Sequence, residues 1–534
     1  MSNKIYSNTG KLTRFILRQD RVRISTWIIA ITLITMIVAP AFTELYPTAM
    51  ERQAIAETMK NPAMTAMVGP GYGLDNYTIG AMMGHQMLLF TAIAVAIMSI
   101  LFVARHTRVD EEEGRIEMVR SLPVGRLSNI IGTTLVSFGT NIILALIVGF
   151  GLFALSIESM DLMGSILYGA VLGVTGIFFT ALTSLFAQIS SNSRGTIGLS
   201  LAFLGLAYFI RAIGDVSSEA LSMLSPLGWV LRTEVYVNNY WWPVILTLAA
   251  SLVILGIAFY LNSIRDLGAG FIPSKPGRKT ATAFLQGPLG LGLRLQRTAI
   301  IAWAVGMLLL GASYGSVFGD LETFFVDNEI IQQMLPPSEG YSLTEQFLTM
   351  LMSVIAIFAT VPPLIMILKL RGEEKQERTE NLLTRAVPRT KLMGSFFAIS
   401  IVTGFIMLFL TVVGLWSAGS AVMEDPISFS TTFGAAMVYL PSMWMMIGIA
   451  VLLIGILPQG TSFIWLYLGY SFLVVYLGGL LDFPEWLANL SPYGIVPQLP
   501  IEEMNYLSLL IVTAISIVLT IVGFMGYNKR DIKG

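Results

Sequence analysis

About twelve runs of apolar residues, each long enough to cross a bilayer as a helix, constrain this chain more than anything else in it. A hydrocarbon core of roughly 30 Å takes about 20 such residues. The runs lie near 25–42, 87–103, 130–155, 164–186, 196–210 and 242–261, then near 298–318, 347–368, 394–416, 433–457, 462–481 and 507–525. They are continuous rather than alternating, which reads as helices and not as barrel strands. Charged residues make up 12% of the 534 residues, against roughly 25% in a soluble protein. That excludes an ordinary soluble enzyme or a long disordered chain. The net charge of −1 gives no global field for nucleic acid. Without cysteine and with only His85 and His106, thiol chemistry, Cys-ligated metals and His-based triads have little to draw on.

Charge sets the expected orientation. With the N-terminus placed in the cytoplasm, 28 of the 32 Lys and Arg fall in inner segments, leaving Arg52, Lys60, Arg211 and Arg232 outside. Acidic residues run the other way, 21 of 33 outside. A wrong span count would scramble this asymmetry, so twelve spans with both ends cytoplasmic is the expected topology of a multi-pass cell-membrane protein. Residues 1–23 are polar and basic and no cleavable signal peptide is expected.

The chain reads as a duplication. Leu17-Arg18-x2-Arg21-x5-Trp27 recurs as Leu293-Arg294-x2-Arg297-x5-Trp303. Arg108-x-Asp110-Glu111-x3-Arg115-x-Glu117-x6-Val124-x-Arg126 recurs as Arg371-x-Glu373-Glu374-x3-Arg378-x-Glu380-x6-Val387-x-Arg389. Leu224-Ser225-Pro226-x-Gly228 recurs as Leu490-Ser491-Pro492-x-Gly494, and each half closes on Arg-Asp, at Arg265-Asp266 and Arg530-Asp531. An even number of spans per repeat puts both repeats in the membrane the same way round, related by an axis along the membrane normal. The expected organisation is an amphipathic connecting helix at 1–24, a first six-helix repeat at 25–264 with a coupling segment at 105–128, and a linker with the second connecting helix at 265–297. A second repeat follows at 298–528 with a coupling segment at 369–393, then a tail at 529–534. Pro273, Pro276, Gly277 and Pro288 mark the linker.

Arg18, Arg21, Arg294 and Arg297 carry the connecting helices, for which plain topology anchoring is the alternative. In the coupling segments, Glu111 and Arg115, like Glu374 and Arg378, are four apart on an expected helix and so able to pair. A solvated charged helix end is the bland alternative; two matching copies instead suggest docking points for a two-fold partner. Acidic outer loops at 43–86 and 319–346 are expected to be partly helical, and short hairpins are expected at 211–241 and 482–506.

The Asp/Glu-Glu-x3-Arg-x-Glu-x6-Val-x-Arg segment after the second span resembles the signature of ABC-type-2 transporter permeases. Arg265-Asp266-Leu267-Gly268-Ala269-Gly270, Lys275-Pro276-Gly277, Gly290-Leu291-x2-Arg294-Leu295-Gln296-Arg297 and Ser225-Pro226-Leu227-Gly228-Trp229 are similar to the fused form described as exporters of polyketide antibiotics. Ala386 stands where the first copy has Pro123, and Ile495 where it has Trp229, so the second coupling segment is expected to bend differently. The resemblance implies an all-α polytopic fold of twelve transmembrane helices in two tandem six-helix repeats, a pseudo-two-fold bundle like the type V exporters. It implies two copies of a separate ABC ATP-binding subunit on the cytoplasmic face, with ATP and Mg held there and no cofactor in this chain. Glu111, Arg115, Glu117 and Arg126, with Glu374, Arg378, Glu380 and Arg389, would form the coupling surface.

No G-x4-G-K-[ST] loop occurs; Gly277-Arg278-Lys279-Thr280 lacks the upstream glycine. The chain is therefore expected to be a transport subunit and not an enzyme. The rival is an ion-coupled carrier, which places ionisable groups inside the membrane; the twelve runs contain none. A substrate path would then be apolar; the resemblance implies that the second and fifth spans of each half face it, which makes Met83, Met87, Tyr208, Phe209, Met350, Met352, Tyr467 and Tyr470 the candidates. Packing or lipid-facing roles for the methionines, and aromatic-belt anchoring, are the alternatives. The expected activity is efflux of hydrophobic or amphiphilic small molecules such as antibiotics, a multidrug resistance function, with lipid or peptide as other possible cargo and no nucleic-acid partner.

Overall fold

A computed structural model describes all residues except 1–4, 61, 273–278, 321–340, 386, 424, 478–483 and 532–534. Every regular element among them is helical. Eleven helices are long and apolar enough to cross a membrane. We number the principal helices α1 (Thr9–Leu45), α2 (Ile79–Glu112), α3 (Ser128–Ala154), α4 (Leu162–Ile189), α5 (Ser193–Ser217) and α6 (Trp242–Ile264). Then come α7 (Pro288–Gly315), α8 (Leu343–Lys375), α9 (Arg389–Val422), α10 (Phe429–Ile456), the shorter α11 (Phe463–Leu477) and α12 (Tyr506–Lys529). This is an all-α polytopic membrane protein. Pro273, Pro276 and Gly277 of the expected linker lie outside the described residues, as does most of the 319–346 loop.

The chain divides into two compact units, Met1–Pro276 and Gly277–Gly534. Within each, the same helices pair: α1 on α3 and α7 on α9, α2 on α4 and α8 on α10, α4 on α6 and α10 on α12. Lipid supplies no hydrophobic drive between helices, so close approach of small residues supplies packing instead. A Cβ at Gly169 would strike the Ala145 carbonyl of α3; one at Gly311 of α7 would strike that of Thr411 on α9. Hydroxyls in these helices fold back on their own turns. Thr134, Thr140, Thr175, Thr360 and Thr411 each donate to the carbonyl four residues earlier, which satisfies these donors within their own helices.

Two expectations need correction. The connecting segments are not separate helices. Arg18 and Arg21 sit on α1, an unbroken 37-residue helix, and Arg294 and Arg297 sit on α7. At 1.5 Å per residue α1 is about 55 Å long, so it carries its polar turns well beyond a bilayer core. The second correction concerns charge. Helix α5 runs past its apolar stretch to Ser217 and carries Arg211 and Asp215, whose side chains are 0% and 1% exposed and 3.2 Å apart. Arg211 also donates to the Met67 carbonyl and stacks on Tyr208, 4.4 Å from its ring centre. The 211–241 segment forms short helices, Glu219–Ser222 and Pro226–Leu231.

Candidate functional site

The polar ends of α2 and α8 each hold a network of paired charges. Helix α2 relaxes into a π turn at Arg105–Val109, ends at Glu112, turns through Gly114 at φ 72° and restarts as Arg115–Arg120. Such π turns recur at functional sites. In the second unit α8 ends at Lys375 and the chain turns at Glu377, φ 57°, the position matching Gly114.

These left-handed residues overturn the expected pairings. Glu111 and Arg115 lie on opposite sides of a helix break and do not pair, nor do Glu374 and Arg378. Arg115 instead bonds Asp110 at 2.6 Å and contacts Glu113; Arg378 lies 3.4 Å from Glu373. Glu111 turns inward to the end of α6. Arg265 gives it two hydrogen bonds of 3.0 Å, and the Gly268 N–H adds a third at 2.6 Å. Arg108 lies 3.3 Å away on its other side. Arg126 donates to the Arg265 carbonyl at 2.6 Å. Burial pushes the nearby Arg120 guanidinium below its ordinary range, with Arg126 adding to the effect.

The second unit repeats this latch. Arg530, closing α12, makes two hydrogen bonds to Glu374 at 2.7 and 2.8 Å, and Arg389 donates to the Arg530 carbonyl at 2.6 Å. Arg265 meets Glu111 through both terminal nitrogens, a fork that fixes geometry as well as energy, whereas Arg530 reaches both oxygens of Glu374 from Nη2 alone. The closing Arg of each unit is thus the partner of its acidic motif, a functional pairing that sequence reasoning did not make. Both members were visible as recurrent motifs, but 154 residues separate Glu111 from Arg265.

Glu117 and Glu380 face outward, and the large apolar side chains of Met118 and Leu122 are 66% and 59% exposed beside Glu117. One set of predicted coupling residues is therefore split. Glu111, Arg126, Glu374 and Arg389 hold the segments to their units; Glu117 and Glu380 present a surface.

A second charge chain exists in the first unit. His106, fully buried, places Nε2 2.8 Å from Asp20 on α1 and Nδ1 3.3 Å from Asp110, which binds Arg115. Asn129 of α3 donates to the His106 carbonyl that the π turn frees. At the other end of α2, His85 lies in a second π turn, with Nδ1 2.9 Å from Tyr77 Oη and Nε2 3.0 Å from the Gly69 carbonyl.

The candidate path residues are scattered within their own units. Met83 and Met352 are core residues, Met87 and Met350 are half-buried, and Phe209 is 54% exposed. Tyr208 bonds the Met67 carbonyl; Tyr467 and Tyr470 bond the carbonyls of Leu490 and Leu487. Among the described residues no cluster of His, Asp and Glu has the makings of a metal site.

A family model described as the C-terminal domain of the multidrug efflux system permease Rv1217c matches residues 11–261 and 285–528, one stretch in each unit. The chain belongs to that permease family. It is also 35% identical, over 99% of its length and 96% of the relative's, to the multidrug efflux system permease protein Rv1217c of Mycobacterium tuberculosis (strain ATCC 25618 / H37Rv). The latch residues lie inside the matched stretches, except Arg265 and Arg530, which fall just beyond the end of each.

Proposed function

We propose that this permease is the membrane-spanning subunit of an ATP-driven exporter of hydrophobic or amphiphilic compounds, drugs among them. Two copies of a separate ABC ATP-binding subunit would dock on its cytoplasmic face, one under each unit, and both termini would be cytoplasmic. The relative's efflux activity supports the cargo class. The observation that carries the proposal is the doubled latch: two acidic segments, each clamped to the last helix of its own unit, each leaving acidic side chains outward, Glu117 and Glu380 at matching positions. A push on Glu117 or Glu380 is then passed through a buried Glu–Arg pair to α6 or α12 rather than absorbed by a loose loop. A sequence without a P-loop motif supports an engine carried by a second polypeptide.

The test is reconstitution of the full chain with its ATP-binding subunit in vesicles. Glu117→Arg combined with Glu380→Arg should leave the chain folded, since both side chains are exposed, yet weaken subunit binding at least about tenfold through misplaced charge. Unchanged drug-stimulated ATP hydrolysis would refute the docking assignment.

One observation favours the rival ion-coupled carrier: the buried Arg211–Asp215 pair, an ionisable group within a candidate span. Both carry further hydrogen bonds, Arg211 donating to the Met67 carbonyl and Asp215 accepting from Ser222 at 2.5 Å, which suits a structural pair better than a proton site. Transport that collapses with the proton gradient while ATP is present would favour the carrier.

A further inference from the structure

A cavity of about 240 Å³ opens between α1, α2 and α3, lined by Asp20, Arg23, Trp27, Phe102, Arg105 and Thr140 among others. It sits where the apolar run of α1 begins, at the level of a membrane–water boundary, with charge at one end and aromatic wall at the other. Its hydrogen-bonding capacity is one-sided. Asp20 is already occupied: His106 takes one oxygen at 2.8 Å, while Arg23 and Arg105 crowd the other at 3.4 and 3.6 Å. Thr140 donates to the Val136 carbonyl, and Ser137 is paired with Thr180. Arg105 is different. Its Nε, 3.6 Å from Asp20 Oδ1, makes no hydrogen bond among the described residues, and its side chain is 31% exposed. A guanidinium held only by so long an ion pair has donors left for another acceptor. The two guanidinium groups outnumber the one carboxylate, so the missing group is an anion, and the wall of Trp27 and Phe102 asks for an apolar remainder.

We infer that this cleft binds an anionic phospholipid, its phosphate on Arg105 and Arg23 and an acyl chain along Trp27 and Phe102. The site belongs to the first unit alone. At the matching positions the second unit has Ala299 for Arg23, Leu368 for Arg105 and Gln296 for Asp20, so all three charges are lost while the tryptophan is kept, as Trp303.

The test uses the full chain, without nucleotide or partner, in phosphatidylcholine vesicles containing brominated phosphatidylglycerol or, separately, brominated phosphatidylcholine. Bromine quenches tryptophan on contact; subtracting the Trp27→Phe variant isolates Trp27 from the other tryptophans. Phosphatidylglycerol should be preferred at least about fivefold, the factor one basic side chain contributes beside anionic lipid. Arg105→Gln should lower that preference about fivefold, Arg105→Lys should retain most of it, and Arg23→Gln with Arg105→Gln should abolish it. Equal quenching by the two lipids, or a preference that survives the double variant, overturns the assignment. So does release of the lipid by excess glycerol phosphate, which would make the site one for free phosphate. None of these outcomes depends on ATP-driven export, so the lipid site and the proposed function fail separately.

Discussion

The two units share their latch and differ in what reaches it from the first helix. Glu111–Arg265 and Glu374–Arg530 join matching residues, and Arg126 and Arg389 bond the matching carbonyls. Next to this, Asp20, His106 and Asp110 of the first unit correspond to Gln296, Lys369 and Glu373 of the second. There, Lys369 and Glu373 still pair at 2.8 Å, but Gln296 turns to its own helix at Gly292 and its Oε1 is buried without a partner among the described residues. The lesson is that the piece kept in duplicate is the tie between the charged segment and the unit's last helix. The tie to the unit's first helix has been free to change, and in the first unit alone it forms a buried charge chain.

The largest effect should come from breaking the shared part. Glu111→Ala strands Arg265, which is 7% exposed, and Glu374→Ala strands Arg530. Each should destabilise the chain by about 3–5 kcal/mol, the cost of leaving one member of a buried pair uncompensated. Denaturant unfolding in detergent measures it, and the two losses should be alike. A cost in one unit less than half that in the other breaks the equivalence of the latches. Double-variant cycles with Arg265→Met and Arg530→Met sharpen it, because most of the loss should return when the stranded cation is removed as well.

The unshared part predicts unequal effects. His106→Ala removes a fully buried ring contacting two carboxylates and should cost about 2–3 kcal/mol. Lys369→Ala, at the matching position, removes a side chain one-third exposed and should cost under about 1 kcal/mol. Equal losses in the same unfolding measurement would mean that the second unit has a buried chain of its own.

What could be read from the sequence follows from the range of the forces involved. The spans were legible because lipid demands a long apolar run from every crossing, and such a run is a local property. The recurrence of Arg108–Arg126 as Arg371–Arg389 was legible because polar matches rarely arise by chance. The contacts made by those residues were not. Spacing of four suggested Glu111–Arg115, but that rule assumes one continuous helix, and the left-handed turn at Gly114 ends it between the two. A glycine just past a charged helix end is a recognised stop signal; in the second copy Glu377 takes the same conformation and hides it. The eleventh expected span, 462–481, is a shorter helix, Phe463–Leu477, that runs up to residues outside those described. Arg211 was placed outside the fifth span because apolar scanning stops where hydropathy falls, while the helix continues to Ser217 on backbone hydrogen bonds that are blind to it.

The smallest predicted effect tests whether the turn itself is duplicated. Gly114 and Glu377 have φ of 72° and 57°, in the region where a Cβ crowds the following carbonyl. No atom lies within 4 Å of where a Cβ would stand on Gly114, so Gly114→Ala meets no steric obstacle and carries only the conformational cost, about 1 kcal/mol. Glu377→Gly is the reverse experiment: it relieves the same strain and should gain up to about 1 kcal/mol, partly offset by the greater freedom of glycine in the unfolded chain. Opposite signs from the two substitutions, read as shifts in unfolding midpoint, would establish that one backbone turn serves both segments despite unlike residues. Two losses would mean that the Glu377 side chain contributes something the first unit obtains without one, and the turns, unlike the latches they serve, would no longer be equivalent.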